Sequence, residues 1–71
     1  MTRELLNRMP IIVMNKVEYF RMKYTTTEDT RERELIRNSM SAYAHGLADA
    51  GMLTNRERQT LFVYMTVPNI K

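Results

Sequence analysis

Side chains able to do acid, base or metal chemistry are few among these 71 residues. His45 is the single histidine and cysteine is absent. A nucleophile with its base, or a thiolate and imidazole set for a metal, therefore has too few members to assemble. The carboxylates Glu28, Asp29, Glu32 and Glu34 sit among arginines at helical spacing. That is the pattern of solvated charge pairs rather than of an acid and a base. No glycine-rich phosphate loop, serine nucleophile motif or metal-ligand spacing occurs. We expect a protein that is not an enzyme and that uses no cofactor and no metal.

Arginine offers a second kind of chemistry, the planar, bidentate recognition of phosphate or carboxylate. Arg31, Arg33, Arg37, Arg56 and Arg58 decorate the second half of the chain, and Arg8, Lys16 and Lys23 recur near one face of the first. Eleven Lys and Arg against eight Asp and Glu leave a net charge of +3. That excess is mild, and an acid lies near almost every arginine. Nucleic-acid footprints show tighter clustering and higher charge. A nucleic-acid-binding regulator that contacts phosphates through Arg31, Arg33, Arg37, Arg56 and Arg58 is the alternative reading.

The more informative stretch is SMSAYAHGLADA, residues 39–50. Ala42, Gly46 and Ala50 are four apart, which places them, with Ser39, on a helix face almost bare of side chain. Mid-helix glycine costs about 1 kcal/mol relative to alanine, so a bare strip is a feature with a cost. It lets another helix approach closely, either one from the same chain or one from a second copy.

These groups need elements to hold them. In TRELLNRMPIIVMNKVEYFRMKY, Leu5, Met9, Ile12, Val13, Val17, Phe20 and Tyr24 form a 3.6-residue stripe, with a kink or fresh start at Pro10. Ile11, Met14 and Met22 lie off the stripe, so this helix is apolar on more than one side. Thr26 with Asp29, or Thr25 with Glu28, matches a capping box, which starts a second helix near residue 27. Asp29 with Arg33, and Glu34 with Arg37, are helix-supporting pairs there, and Ile36, Met40, Tyr43 and Leu47 form its buried stripe. Gly51 stops it, and Thr54 with Glu57 caps a third helix carrying Leu61, Phe62 and Met65, which Pro68 ends.

The connection ADAGMLTNRE, residues 48–57, has the glycine of a DNA-reading helix-turn-helix but not its packing. With Gly51 in the turn, the small position falls on Leu47 and the two apolar locking positions on Glu57 and Thr60. It reads instead as the corner of an αα-hairpin.

The expected fold is thus all-α, a small bundle of three helices at roughly 3–24, 27–50 and 55–66, with a helical hairpin over 27–66 in a single domain, 1–71. The alternative is α+β, with short strands near 10–14 and 61–67. A chain of this size buries only about 60% of the surface its unfolded form exposes, and without disulfides or a metal, self-association is the common supplement. The expected function is a small regulatory protein acting by protein contact as a homodimer, on a transcription or replication component. Its interface is expected at Ile11, Met14, Met22, Ser39, Ala42, Gly46 and Ala50. Its apolar runs are too short for a signal peptide or membrane span, and it reads as cytoplasmic. Beginning at Met1, it reads as a complete small open reading frame of bacterial or phage type.

Overall fold

The computed structural model describes residues 2–67, which form four helices: α1 (Thr2–Arg8), α2 (Ile11–Thr26), α3 (Thr30–Asp49) and α4 (Asn55–Thr66). The fold is all-α, and it departs from the expected count because Pro10 divides the first segment in two. Proline has no amide proton and disfavours α geometry at the residue before it. Met9 accordingly closes a tight turn onto the Leu6 carbonyl at 3.1 Å, and Pro10 takes the N-cap position at φ −57° and ψ 151°. Its own carbonyl then accepts the Met14 amide at 3.0 Å and opens α2.

The α+β alternative is overturned. Residues 11–14 are the first turn of α2, residues 61–66 are helical, and no strand occurs among the described residues. Both runs supply residues to a common core, Val13 from α2 and Leu61 and Met65 from α4. Leu61 and Met65 are four apart, one helical turn, so α4 turns both to the same side. Pro68 lies outside the described residues, and α4 already ends at Thr66.

The turn between α2 and α3 also differs from expectation. Thr25 and Thr26 donate their hydroxyls to the carbonyls of Arg21 (2.8 Å) and Met22 (2.7 Å), one turn back. So engaged, they extend α2 instead of capping α3, which starts at Thr30 behind Asp29, an N-cap without a side-chain hydrogen bond. Asp29 and Arg33, and Glu34 and Arg37, form no ion pair; among the described residues the ion pair is Arg8 with Glu57, at 3.0 Å.

The second turn is as expected. Gly51 adopts φ 81°, the left-handed conformation glycine takes without strain. Its amide reaches the Ala48 carbonyl and that of Met52 the Leu47 carbonyl, both at 3.0 Å, the paired bonds of a Schellman stop. Thr54 then caps α4 reciprocally with Glu57: the Glu57 amide donates to Thr54 Oγ1 (3.1 Å) and the Thr54 amide to Glu57 Oε1 (3.0 Å). A stop followed at once by a start turns the chain back, so α4 lies against α3 as a hairpin.

One core joins all four helices. Val17, Met40, Leu61 and Met65 are fully enclosed, ringed by Leu5, Leu6, Val13, Phe20, Leu47 and Leu53. The α3 stripe sits as expected, with Met40 and Leu47 buried and Ile36 and Tyr43 packed on the core edge. The α2 stripe sits as expected at Val13, Val17, Phe20 and half-buried Tyr24, but Ile12, placed inside by the sequence, is 77% exposed, and Leu6 of α1 is buried. Ile12 stands about 100° round the helix from Val13, at the edge of the face that Val13, Val17 and Phe20 turn inward.

Candidate functional site

The residues expected at an interface fall into three groups. Ile11 and Met22 project from the outer side of α2 at 75% and 55% exposure. Met14 instead packs half-buried against the core. Ser39, Ala42, Gly46 and Ala50 line an exposed face along α3 that nothing else among the described residues covers. A methyl group added at Gly46 would meet nothing within 4 Å. The bare strip is therefore not a seat for any of the four described helices.

Three residues enlarge this surface. Ile12 and Tyr19 of α2 and Leu35 of α3 are also exposed. Tyr19 and Lys23 share a shallow hollow with Leu35 and Ser39, which makes the outer face of α2 continuous with the α3 strip. The signal for Leu35 was present in the sequence: five residues before buried Met40, it points about 140° away from it at 100° per residue. Isolated exposed apolar residues are ordinary, but several contiguous ones beside a helix face without side chains form a patch.

The five arginines do not converge on one place. Arg31 is exposed and does not line the cleft between α3 and α4. Arg56 lines the cleft between α2 and α4 with Arg21 and Tyr64. Arg33 lays its guanidinium over the Tyr24 ring, 4.6 Å from its centre. Arg37 and Arg58 meet in the seam between α3 and α4, where the Arg37 guanidinium lies 6.0 Å from the Phe62 ring centre. Asp29 and Glu34 do not pair with Arg33 and Arg37, whose guanidiniums lie toward the Tyr24 and Phe62 rings instead.

His45 is exposed, and its Nε2 faces Arg58 Nη1 at 3.5 Å, the outer limit of a hydrogen bond. Arginine can only donate, so Nε2 is the acceptor. Glu28, Asp29, Glu32 and Glu34 are exposed, and no cluster of three or more metal-ligating side chains occurs among the described residues. No helix among them is long and apolar enough to cross a membrane. Two tyrosines are held protonated beyond their ordinary range: burial raises the Tyr43 hydroxyl, and burial followed by the Glu18 carboxylate raises that of Tyr64. Both brace helix contacts. Comparison with protein-family models, curated proteins and solved structures gives no match.

Proposed function

We propose that this chain is a small non-enzymatic regulatory protein that works by protein contact, and that its first partner is a second copy of itself. The carrying observation is that one copy has both halves of a contact and uses neither. The edge of α2 projects Ile11, Ile12 and Met22 into water, while α3 offers a face where Gly46 would admit a side chain freely. Projecting groups and a bare strip complement each other, and a two-fold axis repeats that contact twice at no further cost in sequence. Each square ångström of apolar surface so covered contributes about 25 cal/mol, which a core of this size needs.

Action on a transcription or replication component, in a bacterial or phage cytoplasm, is the setting we favour. Its support is the small size of the chain and the scarcity of side chains able to do chemistry. Light scattering at micromolar concentration tests the pairing. A dimer is expected, with a melting temperature that rises with protein concentration. Ile12→Lys with Met22→Lys, both at exposed positions, should give a folded monomer. A wild-type chain that remains monomeric at about 1 mM, the weak end of specific association, ends the proposal.

A further inference from the structure

The outer seam between α3 and α4 is an open cleft of about 630 Å³. Arg37, Asn38 and Ser41 line it from α3, and Arg58, Gln59 and Phe62 from α4. Its polar lining is thus two guanidiniums, two amides and a hydroxyl, with no carboxylate. Neither arginine has an ion-pair partner among the described residues. Arg58 carries a further sign of an unmet need: its Nε is shut from solvent and has no acceptor. A charged donor deprived of both water and an acceptor is unfavourable, and an oxyanion drawing the side chain outward would supply the acceptor.

We infer that this cleft binds a phosphate-bearing segment of single-stranded nucleic acid. The guanidiniums match phosphate oxygens bidentately, and Phe62 gives a base an apolar face beside them. Arg33, one helical turn before Arg37 and lying over Tyr24, lines a smaller neighbouring hollow with Arg37, where the Glu34 carboxylate ends the run of cations. Single strands are the fitting occupant because the site is concave and combines cations with an aromatic floor. A duplex reader needs an element that protrudes into a groove, and the α3–α4 corner has Leu47, Glu57 and Thr60 where such a reader needs a small residue and two apolar ones. The site does not depend on pairing between copies, since both walls belong to one chain.

Fluorescence anisotropy with a labelled 12-nucleotide oligothymidylate tests it on the whole protein. A dissociation constant between about 1 and 100 µM is expected at physiological salt, weakening as salt rises with a logarithmic slope near 0.7 for each phosphate held. Arg37→Ala should weaken binding several-fold and flatten that slope. Arg37→Ala with Arg58→Ala should weaken it at least about tenfold, the usual scale for losing two such contacts. Because the Arg58 stem is half-buried, Arg58→Gln serves if the alanine variant does not fold. Phe62→Leu should weaken binding with the slope unchanged. Arg31→Ala removes an equal charge outside the cleft and should leave affinity within about twofold, the scale of a screened, distant charge. The inference is overturned by equal losses from Arg31→Ala and Arg37→Ala, by a duplex of the same length binding as tightly, or by no binding of the oligothymidylate below about 100 µM.

Discussion

Arg21 grips Tyr64 twice. Its Nε–H donates to the Tyr64 backbone carbonyl at 3.0 Å, and its guanidinium lies 4.6 Å from the centre of the Tyr64 ring. One helical turn before it on α2, Glu18 accepts the Tyr64 hydroxyl at 2.6 Å. Together they bind the last turns of α4 to the middle of α2, where α4 has no basic residue in its final turn to satisfy its carbonyls. A charged hydrogen bond to a partly buried carbonyl is worth about 1.5–3 kcal/mol. Arg21→Ala should therefore lower the unfolding free energy by about 2 kcal/mol in urea titration. Arg21→Lys should restore only part of it, since an ammonium cannot reproduce the planar donor and the ring stacking together.

The cap of α4 makes stability depend on pH in a definite direction. Glu57 is held below its ordinary carboxyl value, first by the backbone amide of Thr54 and, against the opposing effect of burial, by Arg8. A folded-state value below the unfolded one means that folding favours the carboxylate. The contribution is complete at neutral pH, begins to fade below about the unperturbed 4.5, and is lost as pH falls through the folded-state value. Urea midpoints measured at pH 7 and pH 3 should differ less in Glu57→Gln than in the wild type. Thr54→Ala, which removes the other half of the box, should cost about 1 kcal/mol at pH 7.

What the sequence made legible and what it hid have one physical distinction between them. Gly51 and Thr54 could be read because a left-handed stop and a capping box are local, each completed by residues within a few positions. The α3 stripe could be read because nothing interrupts its period from Ile36 to Leu47. Ile12 could not, because it stands at the edge of its stripe, about 100° from Val13, and whether an edge position is covered depends on how the neighbouring helices lie. The Thr25 and Thr26 capping pattern misled for a related reason: a threonine hydroxyl can cap the helix ahead or bond back to the helix behind, and tertiary packing decides. Among candidate sites, the bare strip was visible as spacing. The meeting of Arg37, Arg58 and Phe62 was not, since it depends on how α3 and α4 lie side by side.

The edge of the α2 stripe gives a direct contrast. Met40 is fully buried and Ile12 is 77% exposed, although helical spacing assigns both to a buried stripe. Met40→Ala should cost about 2–5 kcal/mol through lost contacts and a residual cavity. Ile12→Ala, measured on dilute protein, should stay within about 0.5 kcal/mol, as for a surface position. A large loss at Ile12 in the dilute monomer would place it in the core with the rest of its stripe.

Gly46 separates what one copy needs from what two copies need. Inside one chain it has no packing reason to be glycine, because an added methyl group meets nothing within 4 Å. Replacing it should even help: alanine in a helix interior is worth about 1 kcal/mol over glycine. In dilute protein, Gly46→Ala should therefore raise the melting temperature by about 4–8 °C. Gly46→Leu should do nearly as well there, since leucine is also a strong helix former. Between copies the sign reverses, for a leucine side chain stands where the partner's α2 would lie, and overpacking of that kind costs about 1–3 kcal/mol. Gly46→Leu should then be a monomer at concentrations where the wild type pairs, with a melting temperature that no longer rises with concentration. A Gly46→Leu chain that pairs as tightly as the wild type would show that the α3 strip is not where the copies meet, and would leave the projecting edge of α2 to find its cover elsewhere.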